Sequence, residues 1–187
     1  MQTSYIIKVD PDIPSSDGDH FFTRTKEILE SPKRWPSHDF TYVGLSYNSE
    51  ETPPSTEYDV IIVLLERSKK RIILKASGSE LADQPEKDGY GNKIDIDSTE
   101  FSYTFYEKPN VIIIDNDNWN SAHNNLKIDK SDYESYIILH EIGHAIGKSH
   151  RPIPDDNTKP YPIMYQATLG LPDVARFIPY PNESDDI

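Results

Sequence analysis

Three of the chain's six histidines fall inside LHEIGHAIGKSH, Leu139 to His150, with a glutamate directly after the first. If this stretch is helical, His140 and His144 lie about 40° apart on one face, close enough to share one ion. Glu141 projects about 80° to one side of that pair, where it flanks the ion without ligating it. His150 lies six residues past His144. A continued helix would carry it about 240° away, so a third ligand here requires the chain to reverse. Gly147 supplies the break, because glycine enters left-handed backbone without steric cost. Three neutral imidazoles with a fourth position open form the pattern of a catalytic zinc site. On this reading His140, His144 and His150 bind Zn²⁺ and Glu141 is the general base. The full HExxHxxGxxH spacing would arise by chance with a probability on the order of 10⁻⁵, which favours the metal site over a merely histidine-rich helix.

Such a site needs a rigid scaffold, and the surrounding patterns supply one. A helix is expected over Ser131 to Gly147, with Ser131 as cap, Glu134 completing a capping box and Asp132 in the first turn. Its stripe of Ile138, Leu139, Ile142, Ala145 and Ile146 would pack on a sheet, while Tyr133, Tyr136 and Ile137 share the ligand face. Ser4 to Val9 and Phe40 to Tyr47 read as strands, with a helix over Asp19 to Glu30 between them. DVIIVLL and RIILKA, on either side of the polar ERSKK, read as adjacent strands joined by a solvated turn. Ser79 to Asp97 reads as an exposed loop and Glu100 to Tyr106 as an edge strand. Val111 to Asp115 is a continuous apolar run suited to a strand buried on both faces. Asp115 and Asp117, just after it, suggest a polar turn, with a calcium-binding loop as the less favoured reading. From Pro152 onward the chain holds seven of its fifteen prolines and should run as loop. The fold class is therefore α+β: a twisted, mostly parallel sheet with a backing helix, a site-bearing helix and a loop-rich C-terminal part.

Length and charge narrow the function classes. At 187 residues, one domain is expected over 1–180, divided into a sheet-and-helix part (1–147) and a part holding His150 (148–180), with an acidic tail at 181–187. A net charge of -13 disfavours nucleic acid and anionic membrane as partners, since both need a basic face. Zero cysteines rule out disulfides and thiolate ligands. The opening MQTSYIIKVD lacks the basic lead and cleavage site of a signal peptide, and no apolar run approaches the roughly 18 residues of a membrane helix. A soluble, cytoplasmic monomer acting on a protein or peptide substrate is the expectation, with export by another route left open. His20, His38 and His123 are read as surface or internally bonded histidines, and Trp35 and Trp119 as core aromatics.

HEIGHAIGKSH resembles the motif of the metzincin clan of zinc endopeptidases, in its matrixin form with glycine before the second histidine. That clan carries a methionine turn beneath the zinc, and YPIMYQ places Met164 fourteen residues past His150. KEILESPKRW, NVIIIDNDNW, HEIGHAIGKSH and PIMYQATLGL, in this order, are similar to a metzincin-like domain of unknown function common in actinobacteria. The resemblance implies a metzincin-like fold, one catalytic zinc and endopeptidase activity, with substrate lying along the edge strand Glu100 to Tyr106. It also implies that the segment from Arg151 to Val174, with Ile163, Leu169 and Leu171, lines the pocket beyond the cleaved bond. The chain departs from the clan in having no inhibitory cysteine segment and in placing Gln166, rather than tyrosine, two residues after Met164. Two alternatives stand beside the peptidase: a zinc hydrolase of a cell-wall or isopeptide amide, and a binding protein stapled by zinc. Glu141 argues against the second, because a structural site needs no base and usually has four protein ligands.

Overall fold

The structure, a computed structural model, describes residues 1–46, 58–66, 69, 86–87, 93–94, 102–105, 109–167 and 170–185. Its sheet has the order β2-β1-β3-β7-β6, with β1 Gln2–Val9, β2 Asp39–Ser46, β3 Val60–Leu65, β6 Tyr103–Phe105 and β7 Asn110–Asp115. The first four strands run parallel, and β6 runs antiparallel to β7 as the last strand among the described residues. The mostly parallel sheet expected from the apolar runs is thus present.

The reason lies in composition. All six residues of β3 are buried, and they divide by alternation between two clusters. Val60, Ile62 and Leu64 join the larger core with Tyr5, Ile7, Val9, Ile112 and Ile114. Ile61, Val63 and Leu65 face the other way with Ile6 and Ile113. A strand that is apolar at every position suits a site covered on both faces.

Helix α1 spans Ser15–Glu30, four residues longer at its start than Asp19 to Glu30, and buries Phe21, Thr25, Ile28 and Leu29 at helical spacing. Where a polar turn or a calcium loop was expected after β7, the chain forms a helix, α2 Asn116–Leu126. Asp115 is its cap, accepting the Asn118 amide at 2.8 Å, so its carboxylate serves the backbone. Trp119, Ala122 and Leu126 bury one stripe of α2, and the Trp119 ring meets Phe21 edge-on at 4.9 Å.

Helix α3, Lys130–Ala145, carries the motif. Its boundaries match the expectation within two residues, but the capping box does not form. The cap is Asp129, without a side-chain cap bond, and Glu134 is buried among groups from α1 instead. His20 Nε2 lies 2.7 Å from Glu134 and Arg24 Nε donates to it at 3.0 Å. Two cationic or polar partners across a helix pair outweigh one end-of-helix amide, since a buried carboxylate must be neutralised.

Lys87 and Lys93 pair in a short antiparallel ladder, β4 Glu86–Lys87 with β5 Lys93–Ile94, inside the stretch expected to be loop. RIILKA and Leu169 lie outside the described residues. Within the expected acidic tail, Glu183–Asp185 forms a 3-10 turn and Asp185 is buried, so the chain is packed up to that point. Among the described residues, no helix is long and apolar enough to cross a membrane.

Candidate metal centre

Helix α3 is buried along most of its length, and its last turn is shaped by two glycines. A Cβ at Gly143 would run into Met164 Sδ and lie 2.9 Å from Trp35 Cζ2, so only glycine lets these side chains approach. Trp35 Nε1 donates to the Leu139 carbonyl at 2.9 Å and fixes the same turn from below. Gly147 then takes φ +88°, as the chain reversal requires. The Gly147 amide donates to His144 O and the Lys148 amide to Gly143 O, the paired bonds of a Schellman ending. The reversal brings His150 back: the ring nitrogens of His140, His144 and His150 come within 4.8 Å of one another. Among the described residues these three are the group of three or more candidate ligands at such a spacing.

The tautomers follow from the partners. His140 Nδ1 lies 2.8 Å from the Ile163 carbonyl and His144 Nδ1 lies 2.9 Å from the Lys148 carbonyl. A carbonyl only accepts, so each Nδ1 carries the proton and each Nε2 is left with a bare lone pair. His144 Nε2 points at His150 Nε2, 3.0 Å away. Two such lone pairs beside the His150 ring are what a cation binds, and zinc takes imidazole nitrogens at about 2.0–2.1 Å. The residues present therefore fit zinc.

Electrostatics favour the neutral rings such binding needs. Burial, followed by the charge of His144, pushes His140 down to about 3, and the same two causes push His150 down to about 4. Burial also lowers His144, against the pull of its bond to Lys148. Glu141 is 4 % exposed, and burial raises its carboxyl to about 7, opposed by a hydrogen bond from Thr104.

The turn below the rings is held by polar bonds. Met164 is buried against α3, and the Tyr165 amide closes a turn onto Pro162 O. Tyr136 donates from its hydroxyl to Tyr165 O at 2.9 Å and accepts from the Ala167 amide at 2.9 Å. Asp185 accepts the amides of Ile163 at 3.0 Å and Met164 at 3.2 Å. Ile163 is buried and gives its carbonyl to His140, while Leu171 is half-buried against the core.

Thr104 and Asp185 are the contributors that sequence reasoning passes over. Nothing in SYTFY separates Thr104 from other strand hydroxyls, and Asp185 sits in an acidic run that reads as tail. The rings of His140, His144 and His150 do come together, while Glu141 meets Thr104 and Met164 packs against Gly143. His20 is taken by Glu134, and Trp35 and Trp119 are core residues, each 1 % exposed.

No curated protein matches the chain. Among solved structures, the fold is similar to a zinc-dependent peptidase from Methanocorpusculum labreanum (strain Z), over 97% of each chain, at 15% identity and a TM-score of 0.41. The profile of the family described as "Protein of unknown function (DUF3152)" matches residues 2–184, nearly the whole chain, and the chain belongs to that family.

Proposed function

We propose that the protein is a zinc-dependent metalloendopeptidase of metzincin type, with Met164 in the methionine turn of that clan. The observation that carries this reading is the set of committed protons. His140 and His144 spend their Nδ1 hydrogens on backbone carbonyls, so their Nε2 lone pairs face His150, and a buried carboxyl sits at the next position in the chain. Zinc held there would polarise the scissile carbonyl and bring the pKa of water toward roughly 7.

The chain's own residues do the rest. Glu141 accepts a proton from the attacking water and returns it to the leaving amine. The three rings stay neutral, and those of His140 and His144 hold their orientation through the carbonyls of Ile163 and Lys148. Among the described residues β6 ends the sheet order, so an extended peptide would add as a further strand along it, beside Glu141.

The test is zinc content together with cleavage of a diverse peptide pool, run beside cell-wall peptides and isopeptide-linked substrates. Metal-dependent cleavage of ordinary peptides is expected. Glu141→Ala should keep its zinc and lose about 10²- to 10⁴-fold in rate. Zinc-loaded wild type that cleaves only the isopeptide or cell-wall substrates would replace the endopeptidase, and wild type that cleaves none of them would remove the hydrolase.

A further inference from the structure

The edge strand and the base meet at a single hydroxyl. Thr104 is the middle residue of β6, paired across to Ile112 of β7. Its Oγ1 lies 2.7 Å from Glu141 Oε2 and 3.1 Å from the Glu141 main-chain oxygen. Both are acceptors when the carboxyl is ionised, and the one hydroxyl hydrogen goes to the shorter, charge-assisted bond. Fixing a glutamate side chain costs rotamer freedom, and a buried carboxylate without a donor is costly, so the donor decides where the carboxylate sits.

We propose that Thr104 is a positioning residue for the base, holding one oxygen of Glu141 so that the other faces the reacting proton, and tying the base to the strand along which substrate would lie. This rests on the reading of Glu141 as general base. A hydroxyl suits the task in both halves of the cycle. While Glu141 is charged, Thr104 donates to Oε2. Once the other oxygen holds the proton, Oε2 is still an acceptor and Thr104 goes on donating to it, which keeps the acid proton turned toward the leaving group. Valine has the same shape and cannot donate, while serine can.

The test compares Thr104→Val and Thr104→Ser in zinc-loaded protein, alone and combined with Glu141→Ala. On a peptide that wild type cleaves, Thr104→Val should lower kcat about 10- to 100-fold, leave KM within about threefold and leave zinc content unchanged. Thr104→Ser should return kcat to within about threefold of wild type. A second readout needs no turnover: acetohydroxamate, which chelates zinc and shares a proton with a neighbouring carboxylate, is titrated by calorimetry. Thr104→Val should weaken it about tenfold in the wild-type background and by less than about twofold beside Glu141→Ala, the non-additivity of residues acting as a unit. Valine equal to wild type, serine as poor as valine, or additive effects would each overturn the proposal. Wild type that binds acetohydroxamate with this pattern yet cleaves no peptide ends the peptidase reading and keeps the positioning role. Wild type that cleaves peptides while the effects add up does the reverse. Protein that takes up no zinc ends both.

Discussion

The two halves of the centre are held together by different forces. On the sheet side, β1, β3 and β7 bury isoleucines, valines and leucines on both faces, and α3 lies over the side that holds Ile62 and Ile112. Beyond Gly147 the chain has little regular structure, and besides the burial of Ile163, Met164 and Ala167 it is held by side-chain bonds to backbone: Tyr136, Asp185, Asn182 and Arg176 each fasten a loop. Two of the candidate ligands come from the first half and the third from the second. Apolar burial is non-directional and sums over many contacts, whereas each polar bond is local and is lost whole. Damage to the first half should therefore read out as global stability, and damage to the second as ligand geometry.

The largest effect expected from this contrast is in the central strand. Ile62→Ala removes a fully buried side chain between β1 and β7 and should cost about 2–5 kcal/mol in urea unfolding, while the fraction that stays folded binds zinc with unchanged affinity. A comparable fall in zinc affinity per folded molecule would break the distinction.

Asp185→Ala should show the opposite balance. It strips acceptors from the buried amides of Ile163 and Met164, at roughly 1–3 kcal/mol, and frees the peptide whose carbonyl orients His140. Zinc affinity should fall about 10- to 100-fold, as expected when a partner behind a metal ligand is lost. Competition with a chelator measures it. If affinity holds while stability falls, the turn is scaffold alone.

The same contrast separates what the chain's letters reveal from what they conceal. β3 and β7 are legible because a run of apolar residues has one environment in which it is stable. The ligands are legible because three histidines and one glycine must sit at fixed spacings for the chain to reverse. α2 is harder: asparagine is a poor helix former, and NDNWNSAHNNL reads as turn unless the spacing of Trp119, Ala122 and Leu126 is weighed above propensity. Local pattern assigns Glu134 to a capping box, but its partners His20 and Arg24 are 114 and 110 residues away. Asp185 and Thr104 share that difficulty. Their meaning lies in a partner's position, and pairwise spacing along the chain does not contain it.

Protons sharpen the comparison further, because the ligand set spans both halves. In the metal-free protein, kept so with a chelator, His140 and His150 protonate well below the ordinary 6.5 of a histidine. As pH falls from about 6.5 towards 4, the unfolded chain takes up protons that the folded one refuses, so stability present above 6.5 is lost on the way down. Glu141 acts oppositely: raised from 4.5 to about 7, it favours the folded state at low pH and withdraws that support as pH rises through the window. The urea midpoint should still fall with pH, since three lowered histidines oppose one raised carboxyl. His140→Gln should flatten the decline and Glu141→Gln should steepen it between 4.5 and 7. Slopes that move the other way would mean that these groups are not buried as described.

The smallest effect tests how local a polar bond can be. Arg176 donates to the carbonyls of Pro154, Asp156 and Lys159 and stacks 4.7 Å above the Tyr161 ring, gathering the loop that follows His150 onto the 3-10 turn Val174–Arg176. These bonds lie in a half-exposed setting, where water replaces much of what is lost, so Arg176→Ala should cost about 1 kcal/mol or less in global unfolding. Locally the effect should be larger. Amides in 156–161 should exchange hydrogen faster, while those of β3 and β7 keep their protection, because opening a loop held by side chains does not require the sheet to open. His144 and the first turn after it should exchange as in wild type, since the Schellman bonds at Gly147 and Lys148 do not involve Arg176. Faster exchange reaching β3 would show that the two halves open as one unit, and that the division between apolar and polar support is one of chemistry without being one of cooperativity.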